Sequence, residues 1–99
     1  MKNNMTTEEA IEMFETNEND QYLKFHLVTN RASERSDLNA FILLDKLKPG
    51  ITDIVRGANH DKIYLGYVGD WAPYLEGHHV ITLLRCGVMC SDDYLYMNI

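Results

Sequence analysis

Two hydrophobic periods follow each other near the end of the chain and set the pattern for the rest. From His78 to Cys86, the apolar residues Val80, Leu83 and Leu84 recur at helical spacing, with Gly87 in phase. Gly87 stands where a helix stop takes the left-handed conformation, and Val88 supplies the hydrophobic contact that closes such a cap. Arg85 in the last turn complements the negative end of the helix dipole. After Ser91-Asp92-Asp93, a turn, Leu95, Met97 and Ile99 alternate with Tyr94, Tyr96 and Asn98, the period of a half-buried strand.

The same reading carried from the start predicts several shorter elements. Residues 1–5 are a flexible leader. Thr6-Thr7-Glu8-Glu9 is a capping box, with Thr6 as N-cap, and Ala10, Ile11, Met13 and Phe14 form the apolar side of a short helix. Thr16 to Asp20 is a polar breaker. In Tyr22 to Val28, Leu23, Phe25 and Leu27 alternate with Tyr22, Lys24 and His26, which predicts a strand. Asp37 caps a helix over Leu38 to Leu47 that is apolar almost all round at Ala40 to Leu44, so it is expected to be central or covered by a second chain. Pro49-Gly50 stops it. Thr52 caps a short helix from Asp53 to Ala58. Lys62 to Val68 is the second good strand, with Ile63, Leu65 and Tyr67 on one face, Tyr64 and Val68 on the other, and Gly66 as a bulge. Asp70 caps a turn of helix through Trp71 to Leu75, with Pro73 tolerated in its first turn.

These elements predict one α+β domain over residues 6–99: two layers, a small antiparallel sheet of two to four strands and three or four short helices. Ninety-nine residues suffice for one modest core. No run approaches the roughly 18 apolar residues that cross a bilayer, and the polar, acidic start is not a signal peptide. The expected place is the cytoplasm, where Cys86 and Cys90 are reduced thiols. The net charge of −6 is uneven, with residues 1–20 at −5, residues 21–62 at +2 and residues 63–99 at −3. A basic nucleic-acid footprint is absent, so direct nucleic-acid binding is not expected.

Five constellations bear on chemistry. His78, His79, Cys86 and Cys90, with His60 as a fifth member, are the most metal-like set, since zinc takes three or four imidazole or thiolate ligands. His79 and Cys86 are seven residues apart, about 10 Å along a helix, too far to share one ion directly. No metal or cofactor is therefore expected, and a small metal- or ligand-binding protein using these four residues is the alternative reading. His60-Asp61 has the composition of a general base and its orienting carboxylate, but adjacent side chains rarely face each other, so no catalytic residue is assigned. Gly66-x-x-Gly69 lacks the lysine and helix entry of a phosphate loop. The aromatics offer more. Trp71, Tyr74, Tyr64 and Tyr67 are the expected partner contacts, because tyrosine and tryptophan join large apolar area to a polar tip. If strands 62–68 and 94–99 pair, Tyr64, Tyr94 and Tyr96 share the outer sheet face. Glu8, Glu12 and Glu15 add an acidic helix face able to imitate a row of phosphates.

The words Thr6-Thr7-Glu8-Glu9-Ala10-Ile11, Asn19-Asp20-Gln21-Tyr22-Leu23-Lys24-Phe25, Asp37-Leu38, Ala40-Phe41, His60-Asp61, Ile63-Tyr64-Leu65 and Arg85-Cys86-Gly87-Val88 resemble small uncharacterised proteins carried by bacteriophages and prophages of Gram-negative bacteria. The resemblance spans most of the chain and bears on fold and origin; it attaches no activity or cofactor. It fails after Leu65, where Gly66, Gly69, Trp71, Pro73 and Gly77 replace a more acidic, more helical stretch. With size, acidity and aromatic content, it implies a small non-enzymatic accessory protein that binds a host protein or protein–nucleic acid complex, as anti-CRISPR-like inhibitors of host defence do. A homodimer through Phe41 to Leu44 and a host-cytoplasmic setting complete the expectation.

Overall fold

A computed structural model describes residues 5–98; of the expected leader, residues 1–4 lie outside that range, and Met5 is half-buried against the core. The elements are α1 (Thr7–Gln21), a 3₁₀ turn (Phe25–Leu27), α2 (Ser36–Leu47), β1 (Gly57–Ala58), β2 (Lys62–Tyr67), α3 (Val68–Trp71) running into a 3₁₀ turn (Ala72–Tyr74), α4 (Gly77–Arg85), β3 (Val88–Ser91) and β4 (Tyr94–Asn98). The fold is α+β. Its antiparallel sheet has the order β1-β2-β4-β3, so the last of these strands lies inside the sheet between two earlier ones.

Local chemistry sets the ends of several elements where the sequence places them. Thr6 Oγ1 accepts the Glu9 amide at 3.1 Å, and Glu9 Oε1 accepts the Thr6 amide at 2.9 Å, closing the capping box. Gly87 takes φ +101° and its amide donates to the Leu84 carbonyl, ending α4. A Cβ on Gly87 would also meet Leu23 Cδ2 at 3.2 Å, so the position is tight as well as left-handed. Asp92 and Asp93, both at positive φ, form the two-residue turn that joins β3 to β4.

Five expectations are corrected. The polar stretch from Thr16 to Asp20 is helical: α1 runs on to Gln21 because Phe14 and Ala10 are buried beside α4 and Arg85 Nε donates to Gln21 Oε1 at 2.8 Å. Tyr22 to Val28 is not a strand. Leu23 is left-handed and donates its amide to the Leu84 carbonyl at 3.0 Å; the next backbone bonds close locally at Lys24, Leu27 and Val28, and only Val28 is buried. Asp53 to Ala58 is not a helix, since Gly57 and Ala58 pair with Tyr64 and Ile63 of β2. Both Asp caps also shift: α2 starts with Arg35 as N-cap, and α3 starts after Tyr67, with Asp70 inside it.

The core lies between the helices and one sheet face. Phe14, Leu44, Trp71, Val80, Leu83 and Leu84 from the helices meet Leu65, Val88, Leu95 and Met97 from the strands. In α2, Ala40 and Leu44 are buried while Phe41, Ile42 and Leu43 are half-buried, so its own chain covers that helix only in part.

One buried polar residue ties this layer together. Asn39 is 5% exposed; its Oδ1 accepts the Ala32 and Ser33 amides at 2.7 and 3.1 Å, and its Nδ2 donates to Cys86 Sγ at 3.4 Å. It thereby fastens the loop before α2 to the end of α4.

Candidate functional site: the tyrosine face of the sheet

Burying Leu65, Leu95 and Met97 turns the alternate side chains of β2 and β4 outward. Tyr64 lies opposite Tyr96 and Tyr67 opposite Tyr94 across the β2–β4 ladder. The register slips between Tyr64 and Tyr67, where Gly66 at φ +103° makes the expected bulge. Leu65 and Gly66 are both buried, so the extra residue returns Tyr67 to the outer face. Strict alternation had placed Tyr67 with Ile63 and Leu65; the bulge reverses that.

The four rings form a continuous surface. Tyr67 and Tyr94 stack with centroids 4.6 Å apart, and Tyr94 Oη donates to Tyr67 Oη at 3.1 Å. Tyr64 meets Tyr94 edge-on at 5.8 Å and Tyr96 at 6.5 Å, arrangements that suit the ring quadrupoles. Lys62 Nζ sits 4.7 Å above the Tyr96 ring. Arg56, Lys62, Tyr64, Tyr94, Tyr96 and the turn residue Asp92 bound a groove of about 410 Å³ on this face. The hydrogen bond with Tyr67 and the nearby Tyr67 charge raise the Tyr94 pKa, while burial raises that of Tyr96 against the opposing pull of Lys62. Both phenols are therefore neutral near pH 7, suited to flat apolar contact with a hydroxyl at the edge.

The other expected contacts fall elsewhere. Trp71 is 2% exposed and donates Nε1–H to the Leu65 carbonyl at 2.8 Å, bracing the strand just before the bulge. It is a core residue and is withdrawn from the contact set. Tyr74 is exposed, but with Trp71 it shares Lys48, whose Nζ lies 5.6 and 5.2 Å from the two rings, and it does not join the four tyrosines. Glu8, Glu12 and Glu15 are exposed along one side of α1.

The metal-like set is not gathered. His78 and His79 lie together at the start of α4, with ring centroids 4.1 Å apart, and His79 Nδ1 accepts the Glu76 amide at 2.9 Å. Cys86 lies against Asn39 beyond the other end of α4, and Cys90 is on β3. Burial raises both thiol pKa values, that of Cys90 to about 11 with help from Glu15, Asp93, Glu18 and Asp92, so neither favours the thiolate a metal requires. Among the described residues no three His, Cys, Asp or Glu side chains form a metal-holding group. His60 and Asp61 are exposed in the β1–β2 turn, where the His60 amide donates to Asn59 Oδ1.

Sequence reasoning assigned no role to Arg56 and Lys62. The signal for Lys62 was its place two residues before Tyr64, on the same side of the strand; Arg56 lies outside any regular element and carried none. No protein-family model, curated protein or solved structure matches the chain.

Proposed function

We propose that this chain is a small non-enzymatic binding protein whose contact surface is the open tyrosine face of the sheet. One observation carries the reading: Tyr64, Tyr67, Tyr94 and Tyr96 lie side by side on the face that none of the described helices covers, with Arg56 and Lys62 at its border. Rigid, amphipathic rings held by one another present large area with little side-chain entropy to lose, as binding surfaces do. The net charge of −6 and Asp92 beside the groove favour a protein partner over bare nucleic acid. The resemblance to phage and prophage proteins points this proposal to a host protein or protein–nucleic acid complex as target, in the host cytoplasm, with anti-CRISPR-like inhibition of host defence the first activity to assay.

The test is affinity capture from host lysate, followed by titration of the purified partner against three proteins: wild type, Tyr67→Ala/Tyr96→Ala, and Glu8→Lys/Glu12→Lys/Glu15→Lys. The tyrosine variant should lose the partner while its circular dichroism stays that of wild type, and the α1 variant should keep it. Loss confined to the α1 variant would move the contact to the acidic helix and overturn the reading. So would direct capture of a short single-stranded oligonucleotide in preference to any protein, which Lys62 above Tyr96 makes worth measuring.

A further inference from the structure

A second, independent site lies on the opposite layer, between α2 and α4. Asn39 at the start of α2 touches Cys86 just beyond the end of α4. Lys48, just past the end of α2, donates to the Asp70 carbonyl and reaches the Tyr74 ring in the segment that leads into α4, so the two helices run roughly antiparallel. Toward the space between them α2 presents Asn39, Ile42, Leu43 and Lys46, and α4 presents His78, His79, Ile81, Thr82 and Arg85. The α2 set, and the α4 set apart from His79 at its start, have the spacing i, i+3, i+4, i+7, one face of a helix over two turns, or about 10 Å. Two such faces normally close on each other. Here they meet at Asn39 and Cys86 and otherwise leave between them a cleft of about 500 Å³, which Val28 and the residues just after it also line. That size lies within the range of small-ligand sites, about 300–1,000 Å³.

Its chemistry is one-sided. The apolar part is Ile42, Leu43 and Ile81, half-buried in the free chain. Lys46 and His78 stand toward one end and Arg85 toward the other. Arg85 is held in place, with Nε donating to Gln21 Oε1 at 2.8 Å and Nη1 to the Leu27 carbonyl at 3.3 Å. Among the described residues that line the cleft there is no carboxylate, in a chain where acidic residues outnumber basic ones fifteen to nine. The nearby Glu76 carboxylate is 3.6 Å from His78 Nδ1, outside the lining. A cationic, apolar-walled cleft on an acidic protein is complementary to a negative ligand with a hydrophobic body.

We propose that the α2–α4 cleft binds a small amphipathic anion: an apolar chain or ring of up to about 10 Å bearing a carboxylate or phosphate group. The apolar body lies on Ile42, Leu43 and Ile81, and the head group is held by Lys46 at the end near His78. The same occupant covers the part of α2 that suggested a second chain.

The test follows backbone amide shifts by NMR in the ¹⁵N-labelled protein, titrated with octanoate, octyl phosphate, 1-octanol and octyltrimethylammonium. Either anion should give saturable shifts confined to residues 39–46, 78–85 and 28–32, and the tighter of the two identifies the head group. Lys46→Glu, a change at an exposed position, should keep the dispersed spectrum and weaken the anion by roughly tenfold or more, the size of one charge-assisted contact. Absence of saturation, shifts centred on the tyrosine face, equal affinity for octanol, or no response to Lys46→Glu would each overturn the proposal.

Discussion

Asn39 is the residue whose replacement tests the packing most sharply. Asn39→Leu keeps the approximate size of the side chain and removes all three of its hydrogen bonds. The bond to Cys86 Sγ is long and its acceptor weak, so it contributes least. The two amides matter more. An N–H left without its acceptor costs about 1–3 kcal/mol when fully buried. Ala32 is exposed and Ser33 half-buried, which lets water recover part of each loss, so about 1 kcal/mol apiece is the fitting value. Added apolar surface at a 5% exposed position offsets little of this, because leucine must occupy a space shaped for an amide. The expected destabilisation is about 2 kcal/mol, or roughly 8–16 °C in melting temperature for a domain of this size. Urea denaturation measures the total, and hydrogen exchange at the Ala32 and Ser33 amides locates it. A loss below about 0.5 kcal/mol, the margin of an ordinary surface change, would refute the assignment of Asn39 as the fastening between loop and helices. So would unchanged protection of both amides.

Trp71 is the only tryptophan, so emission reports its surroundings directly; it should be blue-shifted and poorly quenched by iodide, and Trp71→Phe should cost about 2 kcal/mol by leaving the Leu65 carbonyl unpaired. A solvent-like emission maximum would contradict the burial of Trp71. Cys90 predicts a pH dependence: its folded-state pKa is raised, so the stabilisation is complete below about pH 9 and is lost as pH rises toward about 11. Thermal melts across that range should fall less steeply in Cys90→Ala than in wild type; parallel curves would assign the alkaline loss to other groups, Cys86, Tyr94 and Tyr96 first.

What the sequence disclosed follows the range of the interactions responsible. The Thr6–Glu9 box, the Gly87 stop, the Asp92-Asp93 turn and the alternation in Tyr94 to Asn98 are each settled by neighbours a few residues away, and each was legible. Leu23 was not, because the bond that fixes its left-handed backbone comes from Leu84 across the fold. Its alternating neighbours imitate a strand while mostly facing water. Thr16 to Asp20 reads as a breaker in isolation but lies in a helix supported by α4 and held near its end by Arg85. Gly57 and Ala58 acquire strand geometry only by pairing with β2. The candidate face was half legible: Tyr64, Tyr94 and Tyr96 follow from strand parity, whereas the side on which Tyr67 emerges depends on what the Gly66 bulge does to that parity. The α2–α4 cleft was invisible, since each helix shows only an ordinary amphipathic stripe and the gap belongs to the pair.

The strand order has a consequence for how the protein comes into being. β4 is the last described strand in the chain, yet it occupies the place between β2 and β3. During synthesis β2 must therefore wait, with its inward Leu65 unmatched, until residues 94–98 have left the ribosome. Helices α1 and α4 can meet earlier and β1 can pair with β2, but the centre of the sheet cannot close, and a pairing that bridges α3, α4 and β3 is slow to find. The nascent chain thus passes through a stage with an unfilled slot at its centre, a stage in which a chaperone or a stray strand competes for the place of β4. The tyrosine face does not exist until that competition is over: Tyr64 and Tyr67 arrive first, and their companions complete the surface in the same step that closes the fold.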